Sequence, residues 1–217
     1  MSAYVYVQNA RLSFPHIVEP QQQVNEQTGV ARTSYNCELI FEPEHPGYIA
    51  FIRAYAALAA AKWGMDGSKV MALIEKERKS RCWGRGEEKT NKKTFQPYDG
   101  YAGNTYITMG RDTAPQLIQH NGQPVPADNH IQYQTVARTM YGGCYVNAAI
   151  KPWLQDNKHG RAVRAELVAL QFAGDGSPFG EGSQDVSHMF GAVKLDPPEA
   201  STSYTTSRDD YLAAKGR

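Results

Sequence analysis

Residues 81–111 combine two kinds of side chain that could do chemistry together, cations and aromatic rings. They alternate along this segment as Arg81, Trp83, Arg85, Lys89, Lys92, Lys93, Phe95, Tyr98, Tyr101, Tyr106 and Arg111. Lysine and arginine bind phosphate groups, and flat rings stack on bases that have no opposite strand. The mixture is therefore typical of a single-stranded nucleic-acid site. A solvated basic loop whose rings pack inward would show the same pattern.

The segment from Cys144 to Trp153 alternates in the way that predicts a half-buried strand. Small apolar residues occupy one face, whereas Tyr145, Lys151 and Trp153 share the other. An outward face with two aromatic rings is expected to be covered by a partner. The pattern alone leaves both a nucleic acid and a protein open as that partner.

The 217-residue chain has 23 Lys and Arg against 22 Asp and Glu, which gives a formal net charge of +1. This total excludes the global basic character of many nucleic-acid binders. The charge is unevenly distributed, because residues 61–111 carry a net +5 and residues 136–173 a net +3, while residues 174–217 carry a net −3. The neutral total is thus a cancellation, and the two basic segments are the ones that carry the rings described above.

The sequence contains no motif for catalysis or for a cofactor. It has no Gly-rich phosphate loop, no G-x-S-x-G and no H-E-x-x-H. The three cysteines are far apart, as is typical of reduced structural thiols. Glu87, Glu88 and Asp99 are the candidate ligands of a metal-dependent nuclease, but they lie among lysines, which favours ion pairing instead. We therefore expect no catalysis, no cofactor and no metal.

Hydrophobic periodicity predicts a mainly β protein with a helical insertion. Period-two patterns predict five strands, and helical spacing predicts two helices between the second and third strands. The strands are expected at about 4–14, 34–41, 104–109, 144–153 and 162–172, and the helices at about 48–63 and 68–79. Residues 15–31, 80–102 and 111–135 are expected to be loops, the last with a short strand at Leu117 and Ile118. This pattern fits both a small closed barrel and an α+β sandwich.

The start of the chain lacks the basic and apolar regions of a signal peptide. The longest apolar stretch, residues 54–61, is far shorter than a membrane span. We therefore expect a cytoplasmic protein with no membrane partner.

Four motifs occur in a fixed order along the chain. They are Ala10-Arg11-Leu12-Ser13-Phe14-Pro15-His16, then Tyr98-Asp99-Gly100-Tyr101 with Tyr106, then Tyr141-Gly142-Gly143-Cys144-Tyr145-Val146-Asn147-Ala148, and finally Gly174-Asp175-Gly176-Ser177-Pro178-Phe179-Gly180. In this order they resemble a family of single-stranded DNA-binding proteins from tailed phages. The resemblance covers about residues 8–193.

The resemblance implies a five-stranded antiparallel barrel of the oligonucleotide/oligosaccharide-binding type (the OB-fold). It also implies a protein that coats single-stranded DNA without sequence preference during phage DNA replication or recombination, in the host cytoplasm. The barrel domain is then expected at residues 1–174, followed by a C-terminal extension at 175–194 and a flexible tail at 195–217. Replication or recombination proteins are the expected protein partners.

On this hypothesis, thirteen residues are predicted to bind the nucleic acid. Those expected to meet phosphates are Lys89, Lys92, Lys93, Arg111, Lys151, Lys158 and Arg164, with Arg11 as a further candidate. Those expected to stack on bases are Tyr98, Tyr101, Tyr106, Tyr145 and Trp153. Two alternatives stay open: a metal-dependent nuclease or resolvase of phage DNA, and an interaction protein whose Tyr145 face is an oligomer interface.

Overall fold

A computed structural model describes residues 4–24, 29, 31–126, 128–158 and 160–180. The predicted tail at 195–217, and all of the predicted extension except residues 175–180, lie outside the described residues. None of the helices in the described part is long and apolar enough to cross a membrane.

The described chain forms seven strands and three α-helices. In chain order they are β1 (Val5–Val24), β2 (Ala31–Phe41), α1 (Pro46–Trp63), α2 (Gly67–Lys76), β3 (Trp83–Arg85), β4 (Thr105–Arg111), β5 (Gln116–Ile118), α3 (His130–Arg138), β6 (Tyr145–Asn157) and β7 (Gly160–Gly174). The mainly β class and the position of α1 and α2 between the second and third long strands are confirmed.

Five of these strands close into a barrel. The hydrogen-bonded order is β4-β2-β1-β6-β7, and β7 returns to β4 through a parallel pairing of Gly110 with Glu166. A meander of three strands, a hairpin of two, and closure between the third and last strands is the Greek-key connectivity of an OB-fold. The sandwich alternative is therefore excluded, and the barrel is antiparallel except at this closure.

Alternation along the strands places the apolar side chains inside the barrel. In β2, Cys37 and Leu39 point inward, where they pair with Met109 and Ile107 of β4. Fully buried side chains from every long strand complete the interior, among them Val7, Leu12, Val146, Ile150 and Leu167. The outward faces of β2 and β4 are consequently free for polar groups, and the candidate site lies there.

Three predicted loops contain more regular structure than the sequence indicated, and residues 80–102 include strand β3. The β1–β2 pairing continues to Val24 and Ala31, so most of residues 15–31 form a strand arm instead of a loop. Within residues 111–135, strand β5 confirms the short predicted strand, but helix α3 was missed. Its mean hydropathy is low, so its signal is weak. Asn129 nevertheless caps it, because its side-chain oxygen accepts from the N–H of Gln132.

A second apolar cluster lies outside the barrel, where residues 98–104 fold back over β2 and β4. Ile40, Tyr101 and Tyr106 are buried in it, with Tyr98 and Phe179 packed against them. Gly86 permits this fold-back, because a Cβ at that position would meet the Tyr101 carbonyl oxygen at 1.6 Å. The cluster matters for the site, because it buries Tyr101 and Tyr106, two rings that were predicted to stack on bases.

Candidate nucleic-acid interface

A groove of about 840 Å³ crosses the outward face of β2 and β4. Its floor is formed by alternate residues of these strands, including Ser34, Asn36, Glu38, Thr108 and Gly110. In OB-folds this face, with the loops between the first two and the last two strands, is where oligonucleotides bind. The position of the groove thus follows directly from the connectivity of the barrel.

The groove is strongly cationic. Its lining contains seven Lys or Arg side chains and only two carboxylates, Glu38 and Asp112. The cations are Arg32, Arg78, Lys79, Arg81, Lys89, Arg111 and Arg164. A concave surface with this excess of one charge raises the local concentration of anions. The chain as a whole is nearly neutral, so the cations are concentrated in the groove.

Four of these cations are already paired with carboxylates. Arg32 pairs with Asp112, and Arg78 and Arg81 share Glu88, with 2.9 Å between Arg81 Nη2 and Glu88 Oε2. Lys89 Nζ lies 2.6 Å from Glu38 Oε1. Within the described residues, the remaining three cations (Lys79, Arg111 and Arg164) form no ion pair, so they are the most available for an incoming phosphate.

The Glu38 carboxylate organises the floor of the groove. It is buried, and it accepts hydrogen bonds from Lys89, from Thr108 Oγ1 at 3.0 Å and from the Tyr101 hydroxyl. Burial, together with the adjacent carboxylate, raises the pKa of Tyr101 well above its usual range, so its hydroxyl stays protonated and donates. The fixed carboxylate holds Lys89 5.2 Å from the centre of the Phe14 ring.

Aromatic side chains line the two ends of the groove. At one end Phe14 and Tyr98 meet edge to face, with ring centres 5.1 Å apart. Phe14 reaches the groove because β1 bulges there: its φ is +45°, and the β1–β2 register shifts between Ser13 and His16. At the other end is Trp153, which is 43% exposed and lies opposite Arg164 of β7.

The β6–β7 hairpin that carries Trp153 is fastened to the helical insertion. Asp156 accepts a hydrogen bond from Trp63 Nε1 at 2.9 Å and pairs with Arg161 and Lys62. The Trp63 hydrogen bond and the neighbouring cations hold the pKa of Asp156 below its usual value. Arg164 Nη1 adds a 2.9 Å hydrogen bond to the Lys79 carbonyl. The helices thus position the hairpin beside the groove.

Comparison with known proteins identifies the family. Residues 3–198 match the family model described as "Enterobacter phage Enc34, ssDNA-binding protein". The chain belongs to this family. It is also similar to protein p50 of Acyrthosiphon pisum secondary endosymbiont phage 1, with 30% identity over 177 residues that cover 81% of this chain and 85% of the relative.

Solved structures agree on the fold. The chain is similar to the single-stranded DNA-binding protein of bacteriophage Enc34 in complex with ssDNA, with a TM-score of 0.56 and 22% identity over 82% of this chain and 90% of that chain. The same phage protein in another structure gives a TM-score of 0.54, with 22% identity over 87% and 90% of the two chains. The family resemblance and the OB-fold expected from the sequence are therefore confirmed.

Of the thirteen residues predicted to bind, five line the groove. They are Lys89, Tyr98, Arg111, Trp153 and Arg164. Three more are exposed cations on loops that border the barrel: Lys92 and Lys93 follow Lys89, and Lys158 lies in the β6–β7 turn. Residues 81–111 and the β6–β7 hairpin thus both contribute side chains to the same groove.

The predicted stacking by Tyr101 and Tyr106 is contradicted, because both side chains are fully buried. Burial raises the pKa of Tyr106 above its usual value, and its hydroxyl accepts from Arg78. A ring without an exposed face cannot receive a base. For this pair the inward-packing alternative is correct.

Arg11, Tyr145 and Lys151 belong to the outer surface of β1 and β6, away from the groove. Arg11 Nη2 donates to the carbonyls of Ser177 and Gly143, at 2.7 and 3.2 Å, and its guanidinium lies 4.3 Å from the centre of the Phe179 ring. Tyr145 is half-buried, 5.7 Å from the same guanidinium. Lys151 pairs with Glu166 at 3.7 Å. None of the three lines the groove, and Arg11 holds the segment that follows β7.

Sequence reasoning missed four cations that line the groove, Arg32, Arg78, Lys79 and Arg81, and the ring of Phe14, which lines it too. Arg78 and Lys79 were expected in the last turn of the second helix, but α2 ends at Lys76 and a separate 3-10 turn, Arg78–Ser80, carries them to the groove. The sequence showed the run of basic residues, but it did not predict that α2 ends at Lys76.

The three carboxylates considered as nuclease ligands do not converge. Glu88 pairs with Arg81, Glu87 accepts from the N–H of Gly103, and Asp99 accepts from the N–H of Gly180. Among the described residues there is no cluster of three metal-ligating side chains. Membership in a family of ssDNA-binding proteins, and not of nucleases, agrees with the lack of a catalytic motif.

Proposed function

We propose that this protein binds single-stranded DNA in the groove across β2 and β4, without sequence preference. The observation that carries the proposal is the composition of the groove: seven cations against two carboxylates, with rings at both ends, on the binding face of an OB-fold. Family membership supports the same ligand, since the family is described as ssDNA-binding and the related phage protein is known in complex with ssDNA.

In the proposed complex the phosphates run along the cationic wall. Lys79, Arg111 and Arg164 would bind first because they carry no ion pair in the described part of the chain. Bases would stack on Trp153 at one end and on the Phe14–Tyr98 pair at the other. Stacking on rings does not distinguish bases, because every base has a flat face. The arrangement therefore favours coating of single strands over recognition of a sequence.

We further propose that this coating serves phage DNA replication or recombination, where single strands are transiently exposed. The phage origin of the relatives supports this role. Such a protein would shield the strand from nucleases and hold it free of secondary structure.

Titration of fluorescent oligo-dT at several salt concentrations, with and without magnesium, tests the proposal. Each neutralised phosphate of a single strand contributes about 0.7 to the slope of log K against log salt. We expect a slope between about −2, if the three unpaired cations bind, and about −5, if all seven do. Oligo-dA should bind within a few-fold of oligo-dT, and the oligonucleotide should remain intact. Absence of binding at low salt, or cleavage with magnesium, would overturn the proposal.

A further inference from the structure

A short finger projects from the rim of the groove at residues 89–98. Its two sides are joined by backbone hydrogen bonds, from Tyr98 N to Lys89 O at 3.1 Å and from Asn91 N to Gln96 O at 2.9 Å. Thr90 and Pro97 form a bridge between them. The finger is therefore held by its own backbone, without support from a partner.

The finger begins in the groove. Lys89 and Tyr98, the two residues at its base, both line the groove, and Lys89 is fixed there by Glu38. The pair Asn91–Gln96 lies two residues further along, which places it about 7 Å beyond the base at the rise of an extended chain. A strand that leaves the groove past Tyr98 would meet the finger next.

The tip of the finger displays one ring and two cations. Phe95 is 79% exposed, and Lys92 and Lys93 are exposed and form no ion pair within the described residues. Residues 89–98 contain no acidic side chain. A large apolar ring displayed between cations is the combination that receives a base and its phosphates.

The backbone at the tip is strained in order to display this ring. Phe95 has a φ of +57°, a left-handed conformation that bulky residues rarely adopt. Its N–H bonds to the Asn91 carbonyl at 2.8 Å, and the Asn91 side chain accepts from Lys93 N at 2.8 Å, so the turn is locked. Residues held in such conformations cluster at ligand-binding positions.

We infer that the finger tip is a further binding position for the same DNA strand: Phe95 stacks on one base beyond the groove, and Lys92 and Lys93 meet its phosphates. The inference rests on the proposed function of the groove. A protein partner fits less well, since a single ring among cations offers little of the contiguous apolar surface that such interfaces centre on. A nucleotide needs only that ring and those charges.

The test is the affinity of Phe95→Ala for a series of oligo-dT lengths, from about 4 to about 16 nucleotides, the range of site sizes of OB-folds. We expect equal affinity of wild type and variant for the shortest oligonucleotides, which fill the groove alone. Beyond one particular length the wild type should bind at least about fivefold more tightly than the variant. Lys92→Gln with Lys93→Gln should reduce the salt slope by up to about 1.4, only on the longer oligonucleotides.

Tyr6→Ala is the matched control, because Tyr6 is 60% exposed on β1 and does not line the groove. It should change binding at no length. Equal binding of Phe95→Ala and wild type at every length would overturn the inference while leaving the groove intact. A loss seen only as weaker cooperativity on long poly-dT would assign the tip to a neighbouring copy of the chain, and would also overturn it. Failure of the wild type to bind any length would overturn the proposed function itself.

Discussion

Trp153 and Tyr145 provide an internal comparison of two rings on one strand. Both lie on the outward face of β6, eight residues apart, but only Trp153 lines the groove. Trp153 is 43% exposed, so part of its surface is open to a base. Removal of a ring that stacks on one base costs about 1–3 kcal/mol. We therefore expect Trp153→Ala to weaken oligo-dT binding about 5- to 150-fold.

Three further readouts separate base stacking from a general disturbance of the fold. The salt slope of Trp153→Ala should equal that of the wild type, because the indole carries no charge. Trp153→Phe should bind with intermediate affinity, since it keeps a ring. DNA-dependent quenching of tryptophan fluorescence should disappear in Trp153→Ala, because Trp83 is buried against Tyr55 and Trp63 is held by Asp156.

The assay is fluorescence anisotropy of labelled oligo-dT at fixed ionic strength, with Tyr145→Ala measured in parallel. We expect Tyr145→Ala to bind within about twofold of the wild type, since its ring lies beside Arg11 and outside the groove. Equal losses in the two variants would show that the DNA strand crosses the whole face of β6, and would refute its placement in the groove. So would a Trp153→Ala variant with normal affinity and an altered salt slope.

Two other predictions concern charge and thiols. Arg164→Gln should lower the magnitude of the salt slope by about 0.7. The control Arg53→Gln removes an exposed cation of α1 outside the groove and should leave the salt slope unchanged. Equal salt slopes in the two variants would show that Arg164 does not contact a phosphate. Burial raises the pKa of Cys144 to about 11 and that of Cys82 to about 12, and raises that of Cys37 still further. At pH 8 less than about one Cys144 thiol in a thousand is ionised, so the folded protein should resist iodoacetamide and react fully in denaturant. Rapid alkylation of the folded protein would contradict the described burial.

The long strands and helix α2 were predictable because each has a regular apolar pattern of its own. The alternation of β6 is so regular that its inward residues, Val146, Ala148 and Ile150, are all buried as expected. Helix α3 was not predictable in this way, since it offers few apolar residues to a periodicity argument. Its Asn129 cap was the signal that remained.

The family motifs proved better guides to the fold than to the binding residues. Tyr141 bonds to Asp175 and Gly176, and Phe179 N bonds to the Gly142 carbonyl, so the third and fourth motifs pack on each other. A Cβ at Gly176 would lie 2.1 Å from the Gly143 carbonyl oxygen, which explains the glycine at that position. These residues hold the segment that follows β7 to the barrel.

The set of residues that line the groove could be identified only from the three-dimensional structure. The cations of the groove come from β2, from residues 78–81 after α2, from the loop after β3, from β4 and from β7, and no sequence spacing connects these elements. Tyr101 and Phe14 illustrate the difficulty, because one is buried by a loop that folds back and the other is turned outward by a bulge. Both outcomes depend on backbone geometry that composition does not encode.

The pairing of β1 on both of its edges has a consequence for how this barrel forms. One edge of β1 pairs with β2, which follows it directly in the chain. The other edge pairs with β6, in which Ile150 lies opposite Val5, 145 residues earlier. Closing so long a loop lowers the folding rate, because chain entropy is lost before the contacts form. During synthesis at about 5–20 residues per second, the β1 edge stays open for several seconds or more. Throughout that interval the unpaired edge of β1 is a template for strands of other nascent chains. The yield of folded protein therefore depends on the kinetic competition between pairing with β6 and aggregation.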